Sequence, residues 1–400
     1  MSGKATIREI DPEGRRVLVR VDFNVPLSKV DGTVTDDTRI RAALPTLRYL
    51  VERGAKIVLC SHLGRPDGKV VPALSLRPVA LRLEHLLGRP VRFVDDCVGP
   101  EVEAAVRDLR AGDLLLLENL RFHPEEEQND PAFAGRLAAL ADLYVDDAFG
   151  TAHRAHASTE GVTHYLPSVA GLLLERELEF LSRAIGDAQH PYAAIIGGAK
   201  ISGKIEVLRS LLDRVDRLLI GGGMANTFLK AQGKKIGDSL VEEDQLQTGR
   251  DVLQSAAKKG VQVLLPEDAV IADGFRQNAQ QRTIDLHSEA VPPGWRIMDI
   301  GPATVEAYGN ALRDCKTVFW NGPMDVFEFA PFAAGTLNLA QVVGSLDAVT
   351  IVGGGDTDAA VEQAGVQKQI THVSTGGGAS LEFIEGKRLP GVEALRDAAG

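Results

Sequence analysis

Short runs of β-branched and other apolar residues alternate along this chain with longer stretches in which apolar positions recur every three or four residues. That is the pattern of parallel strands joined by crossover helices. In the first half, Val17–Val21, Lys56–Cys60, Leu114–Leu117 and Leu143–Val145 read as strands. Thr38–Arg53 reads as a helix with Ile40, Leu44, Leu47 and Leu50 or Val51 on one face. Asp36 or Asp37 is positioned to cap its start, and Pro45 predicts a kink. The second half repeats the scheme with four junctions from strand to glycine: Ile195-Ile196 before Gly197-Gly198, Leu218–Ile220 before Gly221–Gly223, Thr350–Val352 before Gly353–Gly355, and Val373–Thr375 before Gly376–Gly378. Any one of these is equally well a tight turn, but four together fit a phosphate site, because glycine lets backbone N–H groups approach an anion beyond the carboxyl ends of parallel strands. Between the halves, Leu174, Leu178, Leu181 and Ile185 fall at helical spacing and stop at Gly186-Asp187. The expected fold is therefore α/β, with two doubly wound parallel-sheet, Rossmann-like domains joined by a bridging helix. Residues 1–170 form the first domain, 171–186 the bridge and 187–380 the second domain, while 381–400 form a tail packing back on the first.

Composition narrows the function classes. With 44 Lys and Arg against 55 Asp and Glu, the 400-residue chain carries a net charge of −11, which argues against bulk attraction to nucleic acid or an anionic membrane. No stretch approaches the roughly 18–20 apolar residues of a membrane span, and Met1–Asp11 lacks the apolar region of a signal peptide, so a cytoplasmic protein is expected. Cys60, Cys97 and Cys315 are odd in number and far apart, a spacing that supports neither a disulfide framework nor a zinc site. Each reads as a small buried hydrophobe.

Against that acidic background, cationic and imidazole groups gather just after the strands of the first half. Arg39 opens a helix, and His62 and Arg65 stand in Ser61-His62-Leu63-Gly64-Arg65. Arg121 follows Glu118-Asn119-Leu120, and Arg154 lies between His153 and His156. If the loops converge at one sheet edge they make an anion site with forked donors, although any single Arg is more often a solvated surface group. The cations also argue against reading His153 and His156 as metal ligands. Glu125-Glu126-Glu127 reads as a solvated loop. In the second half, Gly198 to Lys204 fits G-x-x-x-x-G-K, but Ile205 stands where a hydroxyl residue would hold magnesium, so the match is rejected. Lys200 and Lys204, four apart, face one ligand if they share a helical turn. Asp356 and Thr357 follow a glycine turn, where a carboxylate either caps the helix or holds magnesium against nucleotide phosphates. There is no G-x-G-x-x-G after a strand and no G-x-S-x-G. A nicotinamide dehydrogenase is thereby disfavoured; a noncatalytic anion-binding protein is the other rival.

Several ordered segments resemble the phosphoglycerate kinase family over nearly the whole chain: Arg20 to Pro26, Ser61 to Pro66, Glu118 to Phe122, Asp147 to His156, Gly197 to Lys204, Trp320 to Pro323, Gly353 to Thr357 and Ser374 to Gly378. The resemblance implies that the first domain binds 3-phosphoglycerate or 1,3-bisphosphoglycerate through Asp22, Asn24, Arg39, His62, Leu63, Gly64, Arg65, Arg121 and Arg154. It implies that the second binds ADP or ATP with Mg2+ through Lys204, Asn321, Glu328, Gly354, Gly355, Asp356 and Thr357, with Glu328 toward the ribose and Asp356 toward the metal. Arg39, Lys200, Gly376 and Gly377 match positions that surround the phosphoryl group in transfer. The family further implies hinge bending that brings the two ligands together, small-molecule partners only, and a monomer. Three residues depart from the family pattern. Asp325 stands where glycine is usual, an added anion and side chain expected to weaken phosphate binding and restrict the loop. Asp146 replaces asparagine, and Glu267 replaces an apolar residue.

Overall fold

A computed structural model of the protein describes residues 3–398. The chain divides into two compact units, Met1–Glu179 with Arg388–Gly400, and Phe180–Lys387. Each is built on a parallel sheet of six strands.

In the first unit the strands are β1 (Arg16–Val21), β2 (Lys56–Cys60), β3 (Val91–Phe93), β4 (Leu114–Leu116), β5 (Leu143–Asp147) and β6 (Ser168–Ala170), in the spatial order β3-β4-β2-β1-β5-β6. The chain leaves β1 toward β2 and later resumes at β5 on its other side, so the topological switch lies between β1 and β5. Ligands of open α/β sheets bind at such a point, outside the carboxyl ends of the strands. Val17, Val19, Ile57, Leu59, Leu116 and Val145 form the core with Ile40, Leu44, Leu47 and Leu50 of the helix Thr38–Glu52. That helix runs through Pro45, which sits on its exposed side, where the missing N–H costs least. Its start is held by Asp36, whose Oδ1 accepts from Thr38 N at 2.8 Å, while Asp37 pairs with Arg41 and Arg82.

In the second unit, β7 (Tyr192–Ile196), β8 (Arg217–Ile220), β9 (Gln262–Leu264), β13 (Thr317–Asn321), β14 (Val349–Gly353) and β15 (His372–Ser374) lie in the order β15-β14-β13-β7-β8-β9. The switch falls between β7 and β13, and the sheet packs on Tyr308, Leu312, Leu339 and Val361. A separate antiparallel sheet, β10 (Asp268–Ala272), β11 (Gln281–Asp285) and β12 (Arg296–Ile300), was not expected from the sequence. The edge strands β3, β6 and β9 were also missed, since three residues carry no period.

The division between the units falls inside the bridging helix Leu172–Gly186. Thr46 Oγ1 accepts from Leu172 N at 3.0 Å and Asp147 Oδ1 from Leu173 N at 2.9 Å, so the first turn is anchored to the first unit. The chain end returns to that unit as well: Gly391 N donates to the Ala152 carbonyl, Arg396 N to that of Ser168 and Ala5 N to that of Arg396.

Candidate active site

At the switch of the first unit, β1 runs directly into Asp22, Phe23 and Asn24. Asp22 Oδ2 accepts from Arg39 at 2.7 Å, aiming the guanidinium at the start of its helix. Asn24 Oδ1 accepts from Gly64 N at 2.9 Å, and the Gly64 carbonyl accepts from Arg121 at 2.9 Å. Asn119, after β4, receives Leu63 N and donates back to the Leu63 carbonyl. These bonds bring Asp22, Asn24, Arg39, Leu63, Gly64 and Arg121 into one constellation. Arg121 is buried, and its Nη2 has no hydrogen-bond partner. Beyond its ion pair with Glu127, this desolvated guanidinium keeps one donor open to a further anion. Arg154 bears electrostatically on Arg121 and donates to His153 at 3.2 Å, whereas Arg65 is exposed and unpaired among the described residues.

His62 is buried, and its Nδ1 lies 3.1 Å from the Arg20 guanidinium. Arginine only donates, so Nδ1 accepts and the ring proton sits on Nε2. Burial and the charges of Arg20, Arg121, Arg39 and Arg154 hold His62 well below the usual imidazole range. Burial and Arg121 likewise lower His156, to about 4. Both rings are thus neutral donors across the physiological range.

Arg20 itself belongs to no sequence-assigned site, yet it organises this edge. Its Nε donates to Ser158 Oγ at 2.9 Å, and Ser158 donates from Oγ at 2.5 Å and from N at 3.0 Å to Glu126. Glu126 is fully buried and its carboxyl is pushed up by burial against the pull of Arg20. The expectation of a solvated Glu125–Glu127 loop is therefore wrong: the segment is a short helix, Pro124–Glu127, and three like residues conceal the one that it turns inward. Glu127 instead reaches Arg121 at 3.2 Å.

The unusual Asp146 is also fully buried, its carboxyl pushed up by burial to about 6, with Oδ2 unpartnered. A raised folded pKa means the native state holds the proton more tightly, so this group's contribution to stability falls as pH rises from about 4 to about 6. Asp146→Asn is expected to relieve that loss, by up to about 3 kcal/mol above pH 6, with little gain at pH 4. Urea unfolding of both proteins at the two pH values measures it; a gain independent of pH would sink the assignment.

In the second unit, glycine at the switch is required by close approach. A Cβ on Gly197 would lie 2.0 Å from the Pro323 carbonyl oxygen, and Gly222, at φ +68°, has room for none beside Gly198. Lys204 reaches the switch from the start of the helix Ile205–Leu211: its Nζ donates to the Gly197 carbonyl at 2.6 Å and to Asn321 Oδ1 at 2.6 Å. Burial lowers the Lys204 ammonium to about 8, with Asp356 opposing. Asn321 Nδ2 donates to the Gly353 carbonyl, and Thr357 Oγ1 accepts from Gly322 N at 2.7 Å. Lys200 does not share this geometry. The segment from Gly198 to Lys204 is not helical, and Lys200 is exposed, so the shared helical turn expected for the two lysines does not exist. Gly376 N donates to Ser374 Oγ at 3.1 Å, which engages one of the N–H groups expected to face a phosphoryl oxygen; Gly377 adopts φ +50°.

A cavity of about 490 Å³ opens beside the glycine turns. Leu240, Phe275, Met298 and Phe329 give it apolar walls, and Glu328 and Asp356 give it carboxylates. Sequence reading found the polar rim but not these walls, which come from scattered positions without a motif. Asp356 stands in the first turn of the helix Gly355–Gln363 without capping it, exposed and free of hydrogen bonds. Its hard oxygen donors beside a phosphate-sized glycine turn suit Mg2+.

Asp325 lines the same cavity, but its carboxylate is turned to the helix Ala334–Gly344. Its Oδ2 accepts from Thr336 N at 2.8 Å, next to Asp299, whose Oδ2 accepts from Gly335 N at 2.9 Å. Burial and mutual repulsion raise the proton affinity of the pair, so together they carry less than two negative charges. Asp325 has no positive φ, so the expected backbone restriction is absent. Glu267 donates its backbone N–H to Thr304 Oγ1 at 3.0 Å, away from these glycine turns.

Comparison with known proteins agrees with this geometry. The family model described as phosphoglycerate kinase matches residues 7–387. A curated phosphoglycerate kinase of Moorella thermoacetica is 60% identical over 394 residues, covering 98% of this chain and 99% of the relative. A chloroplastic phosphoglycerate kinase of Volvox carteri is 57% identical, covering 96% of this chain and 84% of its own length. The solved structure of phosphoglycerate kinase from Coxiella burnetii superposes with a TM-score of 0.88 at 42% identity, covering 98% of each chain.

Proposed function

Because the chain belongs to the phosphoglycerate kinase family, and is thus an enzyme of the kinase class, we propose that it transfers a phosphoryl group reversibly between 1,3-bisphosphoglycerate and ADP, giving 3-phosphoglycerate and ATP. The observation that carries this reading is the division of chemistry between two switch points. One sheet edge ends in forked cations, half-buried Arg39 and buried Arg121 among them, with neutral imidazoles between. The other ends in glycine turns, Lys204 and an apolar cavity with a carboxylate rim. The first suits a small phosphorylated carboxylate and the second a nucleotide.

In this reading Arg39, Arg121 and Arg154 neutralise the triose phosphate and carboxylate, and the Nε2–H of neutral His62 donates without adding charge. Asp22 keeps Arg39 from searching rotamers. The nucleotide base occupies the apolar cavity, Glu328 accepts from ribose hydroxyls, and Lys204 sits among the phosphates. Asp356 would hold Mg2+, which supplies charge neutralisation on the phosphate oxygens when bound. The attacking carboxylate, with a pKa of about 3.5, is already ionised at neutral pH, so no general base is needed. What remains is alignment and positive charge around the equatorial oxygens, with Arg39 from the first unit and exposed Lys200 from the second converging on domain closure. Lys200 is exposed, as such a donor requires.

Coupled turnover with 3-phosphoglycerate and Mg-ATP tests the proposal. Formation of the acyl phosphate is expected, and a folded preparation that forms none refutes it. The same assay with reduced nicotinamide is expected to show no hydride transfer.

A further inference from the structure

At the carboxyl ends of the adjacent strands β3 and β4, the loops that follow bring together Asp96, Cys97 and His123. One donor atom from each lies within 4.8 Å of the others. We propose that these three residues form a binding site for a single Zn2+ ion, bound through the Cys97 thiolate, His123 Nε2 and an Asp96 carboxylate oxygen, with water in the fourth position.

Parallel neighbours in register explain why distant residues meet: Glu118 N, after β4, donates to the Asp96 carbonyl at 3.3 Å. The His123 ring is held from one side by Phe133, with ring centroids 5.3 Å apart, and its Nε2 lies 2.7 Å from Asp96 Oδ1. That oxygen also accepts from Cys97 N at 2.6 Å. Cys97 is 1% exposed. The other two cysteines donate their thiols to carbonyls, Cys60 to Val19 and Cys315 to Ala311, whereas Cys97 Sγ has no hydrogen bond among the described residues. A buried, unpartnered sulfur turned toward an imidazole and a carboxylate is a mixed soft and borderline donor set. Such a set selects Zn2+ over Mg2+. Asp96 and His123 are half-buried, which leaves an entry path and room for the water.

Binding balances simply. The thiol proton, held firmly in the free protein by burial, leaves to solvent as the Zn–S bond forms. His123 binds in the tautomer that carries its N–H on Nδ1, which leaves the Nε2 lone pair for the metal. None of the three ligands belongs to the constellation around Arg39, although His123 follows Arg121 by two residues.

Equilibrium dialysis of the intact chain with Zn2+ is expected to give one bound ion, and Co2+ in its place a thiolate-to-metal charge-transfer band. Cys97→Ser and His123→Asn should each weaken binding by at least about 100-fold, as loss of a ligand costs no less than loss of its supporting contacts. Cys315→Ser should leave affinity and band unchanged. If Cys97→Ser does not fold, His123→Asn, at a half-exposed position, decides. No bound zinc, or a dissociation constant indifferent to His123→Asn, would overturn the site. So would a band that survives in folded Cys97→Ser.

Discussion

Arg39→Ala is expected to lower kcat by two or more orders of magnitude while leaving nucleotide affinity close to that of the parent protein. The expected size follows from removing a donor aimed at charge that develops in the transition state, where single donors are worth about 10²–10³ in rate. The selectivity follows from placement: Arg39 belongs to the first unit, fixed by Asp22 at 2.7 Å, whereas the cavity and glycine turns lie wholly in the second. Arg39→Lys should recover only part of the rate, because an ammonium restores charge but not the planar fork that grips Asp22 and an anion together. Asp22→Asn should fall between, since it keeps a hydrogen-bond acceptor and loses the ionic anchor. Steady-state kinetics with nucleotide binding measured separately checks the series. A kcat for Arg39→Ala comparable to the parent's would remove this residue from the mechanism, and a matching loss of nucleotide affinity would mean the substitution acts through the fold.

The candidate residues that the structure gathers at the sheet edges are those whose location is set by position along a strand. Arg39, His62 and Arg121 in the first unit, and Lys204 and Asp356 in the second, each follow a strand end or open a helix, and the parallel topology gathers such positions at one edge of each sheet without further information. What escaped depends on which way a side chain turns. Arg20 interrupts an apolar strand and Glu126 sits in a charged run, yet both are buried and joined through Ser158. Lys200 and Lys204 have helical spacing, but the segment between them is bend and turn, and only Lys204 is drawn inward. The central strand Thr317–Asn321 was legible as a motif and not as a strand, because Trp320 and Asn321 drew attention to chemistry while the apolar run before them was short. The antiparallel sheet of the second unit left no signal beyond brief, half-exposed alternation. Asp325 shows the converse error, in which a charge beside a ligand site was assumed to face it. A helix start with two free N–H groups was the stronger attraction.

Arg20→Met should destabilise the first unit by about 3–5 kcal/mol at pH 7, the cost of leaving a buried charge without its partner. Arg20 is 1% exposed and Glu126 fully buried, and they communicate through the Ser158 hydroxyl, which accepts from one and donates to the other. Methionine matches the length and apolar volume of the lost stem, so little of the loss is a cavity. Burial already raises the Glu126 carboxyl, and without Arg20 only the Ser158 hydrogen bonds and Arg121 oppose it. A group whose folded pKa stands above its unfolded value stabilises the fold at low pH and loses that contribution as pH rises through the folded value. The deficit of Arg20→Met should therefore be smallest near pH 4 and widen toward pH 8. Adding Glu126→Gln removes the orphaned charge while keeping an acceptor for Ser158, so the double variant should recover much of the stability lost by the single one. Urea unfolding of the four proteins at the two pH values completes the cycle. Simple additivity, with a pH-independent deficit, would show that Arg20 acts by packing alone and that the buried pair is not electrostatically joined.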